Sequence, residues 1–105
     1  MEMEMKVKPT VGRLIIVREL AEGPKKFSQL RTAYFGEARA KANKATTSFY
    51  NKLSQGLEEG LVVKSTIGSY ELGEQGKLLL AFAKEQKMDL VALKSEAQLR
   101  YETQA

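Results

Sequence analysis

Residues Ala45–Gly60, ATTSFYNKLSQGLEEG, decide the fold because they have the pattern of a helix with two very different sides. On a 3.6-residue period one side is an apolar stripe wide enough to rest on a small core; it carries Phe49, Leu53 and Leu57, with Ala45 and Gly56 beside them. The opposite side carries groups suited to base edges and phosphates, namely Lys44, Thr47, Ser48, Asn51 and Gln55, with Lys52 at its flank. An ordinary solvated helix face would look the same, so the neighbouring segments must decide between the two interpretations.

Basic charge is concentrated around this helix. The segment from Lys25 to Lys52 holds seven basic residues and one acid, Glu37, a balance of +6, whereas the whole chain carries +4. From Leu53 to Gly76 the balance is −3. A basic patch of this kind is typical of a protein whose partner is a polyanion.

The composition bounds the class of protein. A chain of 105 residues with 43% hydrophobic residues makes one domain, and the chain has no Cys and no His. A disulfide framework, a thiolate zinc site and the commonest general base are therefore excluded. No apolar run approaches the ~20 residues of a membrane span, and the start MEMEMKVK does not resemble a signal peptide. We expect a cytoplasmic protein with no metal or cofactor.

Two helices are predicted before the central one. Thr10 is a candidate N-cap for an apolar first helix that should end at Gly23-Pro24. The second helix should begin near Ser28 and stop at Gly36. Residues 1–9 alternate Met with charge and are predicted to form an arm or a short strand.

The start of the third helix is left open by the sequence. EARAKANKA, residues 37–45, is compatible with a loop, a helical turn or an early start of the helix, which we place from about Thr46. After Gly60 the period changes from 3.6 to 2, so residues 61–66 and 70–72 are predicted to form a hairpin around a turn at 67–69. Such a hairpin needs the helices for its stability.

The last segment, from about Glu74, lacks Pro, and it lacks Gly after Gly76. A helix over this length would be ~45 Å long, more than a small three-helix core can cover. Its apolar spacing resembles a heptad seam that a second copy of the chain would cover, formed by Leu79, Ala83, Gln86, Leu90, Leu93, Ala97 and Tyr101. The alternative is a shorter helix packed on its own domain, with a frayed tail.

Three stretches resemble the PadR-like branch of the winged helix-turn-helix family. LIIVRELAEGPKKFSQL resembles its opening helix and turn, SFYNKLSQGLEEGLV its third helix, and YELGEQGKLLL the end of its wing. The resemblance covers residues 11–80. Archaeal winged-helix proteins with long C-terminal helices, including site-binding proteins of plasmid segregation systems and coiled-coil chromatin proteins, look similar in outline.

The resemblance implies a mainly α fold with a small β-hairpin (α+β). Residues 1–9 would be an arm, 10–76 a winged helix-turn-helix domain, and 77–105 a C-terminal dimerisation helix. In that family arrangement the third helix enters the major groove and the hairpin tip touches the DNA backbone or the minor groove.

Individual contacts to DNA follow from side-chain chemistry. Ser48 and Asn51 suit base edges, and Asn in particular suits adenine. Phosphate contacts suit Arg39, Lys41, Lys44, Thr46, Thr47 and Lys52, with Gln55 on the same helix face, and Lys64 and Ser69 are the wing candidates. Tyr50 is expected to pack beneath the wing rather than reach a phosphate.

The expected function is therefore sequence-specific binding of double-stranded DNA as a homodimer, associated with the nucleoid, most simply as a transcriptional repressor. The alternative is a partition or architectural protein that binds a site and spreads along DNA, with a possible protein partner in a segregation system. A winged helix that binds only protein would favour an acidic or apolar third helix, which this chain lacks. An enzyme is not expected, because Glu58 and Glu59 point about 100° apart on a helix and no phosphate loop or nucleophile elbow is present.

Overall fold

The first helix, α1 (Val11–Leu20), starts at Thr10 as predicted, because the Thr10 hydroxyl accepts a hydrogen bond from the backbone N–H of Arg13. It contributes five buried apolar side chains, more than any other helix of the part described, and these are Leu14, Ile15, Ile16, Val17 and Leu20. The helix ends at Leu20, slightly before the predicted stop. The Gly23 N–H donates a hydrogen bond to the Leu20 carbonyl and closes the turn that follows.

The computed structural model describes residues 4–36, 43–65, 68–95 and 98–99. After α1 the elements are β1 (Lys25–Lys26), α2 (Phe27–Phe35), α3 (Asn43–Glu59), β2 (Val62–Lys64), β3 (Ser69–Leu72), α4 (Glu74–Glu85) and a 3-10 turn (Leu90–Ala92). The protein is thus mostly helical with a small antiparallel sheet, which confirms the predicted α+β class. None of its described helices has the length and apolar character needed to cross a membrane.

The sheet has three strands in the order β1-β3-β2. The hairpin β2–β3 lies where the change of period predicts it, with Val62 opposite Leu72 and Lys64 opposite Tyr70. Strand β1 pairs with the other side of β3 and was not predicted, because two consecutive lysines carry no alternation of polar and apolar residues. Its pairing ties the segment between α1 and α2 to the hairpin.

The core is one cluster to which α1, α2, α3, α4 and the start of the hairpin all contribute buried side chains. Phe49 is fully buried, and its ring centroid lies 5.4 Å from those of Phe27 and Tyr34 and 6.3 Å from that of Phe35. Edge-to-face and tilted packing of this kind is favourable for aromatic rings. The aromatic cluster therefore fixes α3 against α2 and leaves the other side of α3 to solvent.

The predicted continuous helix over residues 77–105 is wrong. Helix α4 ends at Glu85 in a Schellman motif, in which the Lys87 N–H donates to the Lys84 carbonyl and the Met88 N–H donates to the Ala83 carbonyl. Lys87 adopts the left-handed conformation that this motif requires, with φ 56°. The sequence hid this ending because the position usually taken by Gly is occupied by Lys.

The chain beyond α4 turns back onto its own domain. The Arg18 guanidinium donates to the carbonyls of Leu90 and Leu93, at 3.0 and 2.9 Å. Ser95 and Gln98 donate from their side chains to the carbonyls of Tyr34 and Ala33, at 2.6 and 2.7 Å. The bonds from Ser95 and Gln98 satisfy carbonyls at the C-terminal end of α2, and together with those from Arg18 they hold the last segment in place.

The predicted intermolecular heptad seam is wrong for the same reason. Leu79 and Ala83 have no exposed surface and belong to the core of their own chain. Gln86 is an exposed C-cap outside the helix, and Leu90 and Leu93 pack against the same core. Ala97 and Tyr101 lie outside the described residues. The helix is thus shorter and packs on its own domain, as the alternative had it, but residues 90–95 are bonded to that domain and do not form the frayed tail that the alternative included.

Residues 4–7 form an arm that lies against the first turn of α4. Val7 is buried in the core, the Lys6 N–H donates to the Gln75 side-chain oxygen at 2.6 Å, and the Gln75 amide donates to the Glu4 carbonyl at 3.1 Å. Gln75 thereby offers the arm one acceptor and one donor, as the edge of a strand would. The alternation of residues 1–9 did not indicate this partner.

Candidate nucleic-acid interface

Helix α3 separates its side chains sharply by burial. Ala45, Phe49 and Leu53 are 1%, 0% and 2% exposed. The side chains on the remaining circumference are mostly exposed and polar. This arrangement confirms the amphipathic pattern of the sequence and the identity of the outward side. Its start at Asn43 also shows that the helix begins about three residues earlier than predicted.

The outer face of α3 brings four predicted DNA-contacting residues together. Lys44, Thr47, Ser48 and Asn51 are all exposed and line one shallow depression. Two hydroxyls, one amide and one ammonium group thus share a single surface. Such a set offers donors and acceptors to base edges together with a cation for phosphate.

A second group of predicted residues lies on the flank of α3 that faces α1. Ser48, Lys52 and Gln55 are one wall of a cleft of about 540 Å³ between the N-terminal turn of α1, the C-terminal end of α2 and α3. Ser48 borders both this cleft and the outer depression. The sequence placed these residues on one face, and the structure divides that face into two adjoining surfaces.

An ion pair closes one end of this flank. The Arg13 guanidinium donates to both carboxylate oxygens of Glu59, with 3.0 Å from Nε to Oε2 and a second bond from Nη2 to Oε1. The hydrogen bond from Arg13 lowers the pKa of Glu59 despite partial burial, and the same bond raises the pKa of Arg13. The Gln55 amide also donates to Glu59 at 3.2 Å, so that the amide of a predicted DNA-contacting residue is held towards the ion pair.

Thr46 lies on the opposite flank, towards α2. Its hydroxyl accepts a hydrogen bond from Arg31 Nη1 at 2.9 Å, and the Arg31 guanidinium lies 5.8 Å from the centre of the Phe27 ring. Within the part of the chain that the structure describes, the buried Arg31 Nε has no hydrogen-bond partner. Thr46 therefore links α2 to α3, a role that the sequence did not indicate.

Tyr50 corrects another prediction. It was expected to pack beneath the wing, but it is 64% exposed. Phe49 and Leu53 already fill the inner side of α3, and Tyr50 lies about 100° further round the helix than Phe49. This exposed aromatic residue is therefore a further candidate contact, for which the sequence analysis had favoured packing beneath the wing over reaching a phosphate.

The remaining predicted positions are distributed over the hairpin and the segment before α3. Lys64 is exposed and Ser69 is half-buried, where its carbonyl accepts from the Ser65 N–H at 2.8 Å. Gly68 has a positive φ of 65°, as a tight turn requires. Arg39 and Lys41 lie outside the described residues, as do Thr66 and Ile67 at the hairpin turn.

Among the residues that the structure describes, no group of three or more Asp or Glu side chains is placed to hold a metal ion. No protein-family model, curated protein or solved structure matches this chain significantly.

Proposed function

We propose that this protein binds double-stranded DNA through the outer face of α3, as a site-specific transcriptional regulator acting as a homodimer. The observation that carries the proposal is the shared exposed surface of Lys44, Thr47, Ser48 and Asn51, on a helix whose other side is locked into the core. A rigid helix with an outward polar and cationic face is a common means of presenting side chains to the major groove.

The order of elements supports the proposal. Three helices followed by a hairpin, with a short strand between α1 and α2 that pairs with the hairpin, is the arrangement expected of a winged helix-turn-helix. In such an arrangement α3 enters the major groove and the hairpin approaches the backbone beside it. Lys64, exposed on β2, would then contact a phosphate.

Roles within the face follow from chemistry. Asn51 presents an amide that can pair with both N6 and N7 of adenine, and Ser48 can donate to or accept from a base edge. Lys44 and Lys52 are cations without a base preference and would grip phosphates. The exposed Tyr50 would pack on the sugar-phosphate backbone.

The proposal is tested by fluorescence anisotropy on a selected site and on random DNA. Asn51→Ala should cost about 1–3 kcal/mol on the selected site and little on random DNA. Lys44→Ala should weaken both DNAs about equally and flatten the salt dependence, since one phosphate contact is lost. If Asn51→Ala binds both DNAs like the wild type, the outer face does not read sequence.

Lys77→Ala is the matched control, because Lys77 is an exposed lysine on α4, outside the proposed interface. Its binding and its salt slope should equal those of the wild type. Loss of affinity in this variant equal to that of Lys44→Ala would mean that only the net charge of the protein matters.

The homodimer would use a surface other than the Leu79 and Ala83 side chains, since these lie in the core of each chain. Two copies of α3 ~34 Å apart would address a palindrome on one face of the duplex. Nuclease protection on a long fragment separates regulation from the spreading role. A regulator should protect one discrete site of roughly 20 base pairs at all concentrations. Protection that extends outward with concentration would instead favour a partition or architectural protein.

A further inference from the structure

Gln55 continues the line of side chains that carries the proposed base contacts. Ser48, Asn51 and Gln55 follow one another at spacings of three and four residues, which places them on one stripe of α3. All three are exposed. Gln55 lies one helical turn, or ~6 Å along the helix axis, beyond Asn51. Its side chain is therefore placed to meet a neighbouring base in the same major groove.

Glu59 controls which end of the Gln55 amide is available to DNA. The Gln55 Nε2 donates a hydrogen bond to Glu59 Oε1 at 3.2 Å, across one turn of α3. A carboxylate has only acceptors, whereas an amide has a donor end, the NH2 group, and an acceptor end, the carbonyl oxygen. If the amide turned over, its oxygen would lie against a carboxylate oxygen and be repelled. Within the part of the chain that the structure describes, the amide oxygen of Gln55 accepts no hydrogen bond, so it remains for a partner outside the chain.

Arg13 keeps the Glu59 carboxylate charged and fixed in position. Its guanidinium donates to both carboxylate oxygens, with 3.0 Å between Nε and Oε2. The two side chains are only 20% and 21% exposed. The hydrogen bond from Arg13 lowers the pKa of Glu59, so the carboxylate is an acceptor throughout the neutral range. A solvated glutamate could follow the amide as it turned, but a glutamate held by α1 cannot.

The four bases differ in what they offer to an amide oxygen. In the major groove adenine and cytosine present an amino group, at N6 or N4, which donates a hydrogen bond. Guanine and thymine present a carbonyl oxygen instead, O6 or O4, which accepts one. A freely rotating glutamine suits both classes, because its amide can turn over. A glutamine whose nitrogen is held by a carboxylate suits the amino bases and is repelled by the keto bases.

We propose that Gln55 is a specificity-determining residue that selects adenine or cytosine over guanine or thymine at one position of the DNA site, with Glu59 and Arg13 as its positioning residues. This role rests on the proposed function, since it requires α3 to lie in the major groove. Gln55 then reads sequence, and the ion pair between α1 and α3 determines which bases it accepts.

The role of Gln55 is tested by fluorescence anisotropy on duplexes that carry every single-base-pair substitution of the selected site. At one position the wild type should bind the amino bases about 10-fold more tightly than the keto bases, because a hydrogen bond replaces the repulsion of two acceptors. Gln55→Ala should abolish this preference, and only at that position. If the preference at every position is the same in Gln55→Ala as in the wild type, Gln55 does not determine specificity.

Two further variants test the positioning by Glu59. Glu59→Gln gives Gln55 a neighbour that can donate or accept, so the amide can turn over and most of the preference should be lost. Gln55→Glu presents only acceptors and should keep the preference, although its charge repels phosphates and lowers the affinity for every duplex. Circular dichroism verifies that each variant is folded. In a folded variant a purely structural effect would weaken all duplexes alike and leave the preference unchanged.

Glu58→Gln is the matched control, because Glu58 is the adjacent exposed glutamate and the bond from Gln55 goes to Glu59. It removes the same charge and should keep the wild-type preference. A wild-type preference in Glu59→Gln, or an equal loss of preference in Glu58→Gln, overturns the positioning role of Glu59.

The specificity of Gln55 and the proposed function fail in different ways. If Asn51→Ala and Lys44→Ala behave as expected but no preference for amino bases depends on Gln55, only the role of Gln55 is wrong. If the protein binds neither the selected site nor random DNA, both are wrong.

Discussion

At the scale of single residues, the ion pair of Arg13 and Glu59 has the clearest energetic consequence. It joins residues 46 positions apart, uses two hydrogen bonds and lies partly out of solvent. The pKa of Glu59 is lower in the folded protein than in the unfolded chain. The unfolded chain therefore binds more protons over the interval between the two values, and stability falls as the pH drops through it.

We expect Glu59→Gln to lower the free energy of unfolding by about 1 kcal/mol at neutral pH. The wild-type advantage should be fully present above the ordinary glutamate pKa of about 4.3 and should disappear as the pH falls through the lower folded-state value. Urea unfolding followed by circular dichroism from pH 7 to pH 3 measures this difference.

Glu58→Gln is the control for this measurement. Glu58 is the preceding residue, is exposed, and forms no ion pair with a described residue. Its stability should stay within about 0.5 kcal/mol of the wild type. A Glu59→Gln variant that follows the wild-type pH profile would show that the ion pair contributes nothing to folding.

The sequence predicted residues well where a local period decided them. Lys44, Thr47, Ser48 and Asn51 are exposed together because helical spacing alone sets their side. The partner of Glu59 could not be found in this way, since Arg13 is brought to it by tertiary packing. Tyr50 was misassigned because hydrophobicity suggested burial, while its angle on the helix places it outside the core.

At the scale of elements, the end of α4 can be tested against the alternative of a continuous C-terminal helix. In the structure Lys87 has φ 56°, a conformation that costs an L-residue roughly 1–2 kcal/mol relative to glycine. In a continuous helix the same position would be helical, where Gly costs about 1 kcal/mol relative to Ala. Whether substitution of Lys87 by Gly raises or lowers the free energy of unfolding thus distinguishes a Schellman motif from a long helix.

We expect Lys87→Gly to raise the free energy of unfolding by about 1 kcal/mol, measured by thermal or urea unfolding. Lys84→Gly is the matched control, because Lys84 is an exposed lysine within the last turn of α4, and it should be destabilising by about 0.5–1 kcal/mol. If Lys87→Gly destabilised the protein as much as Lys84→Gly, the result would instead support a continuous helix.

Helix α1 was predictable because it carries its own cap and apolar stripe, whereas the predicted N-cap of the second helix, Ser28, lies inside α2, which begins at Phe27 after Lys26. Thr10 and the apolar run after it are sufficient to define α1. Strand β1 is different, since Lys25 and Lys26 are extended only because Tyr70 and Ser69 of β3 lie beside them. The period of the last segment was genuine, but its buried residues face their own domain, and spacing alone cannot name the partner.

At the scale of the whole molecule, residues 90–95 are bonded to their own domain through Arg18 and Ser95. Deleting residues 88–105 removes the carbonyls that Arg18 contacts and exposes the core beneath Leu90 and Leu93. We expect the deletion to lower the free energy of unfolding by about 3 kcal/mol or more, since several hydrogen bonds and two partly buried leucines are lost. Thermal unfolding at two protein concentrations measures this effect.

If the segment formed a coiled-coil seam, the same deletion would have the opposite outcome. The domain would stay as stable as before, and sedimentation would show only that dimers had become monomers. Arg18→Gln provides a milder version of the change, because it removes the two carbonyl contacts and retains the whole segment. Its stability should fall between those of the wild type and the deletion.

The hydrogen bonds made by residues 4–6 and 90–93 also influence the order in which the chain can fold. Lys6 and Glu4 meet Gln75 across 69 and 71 positions, and Arg18 meets Leu90 and Leu93 across 72 and 75. Closing such long loops costs entropy before any contact offsets it, so these bonds form late. During synthesis α3 is complete well before residues 90–95 exist. The support that residues 90–95 give to α1 and α2 is therefore added only after α3 has been synthesised.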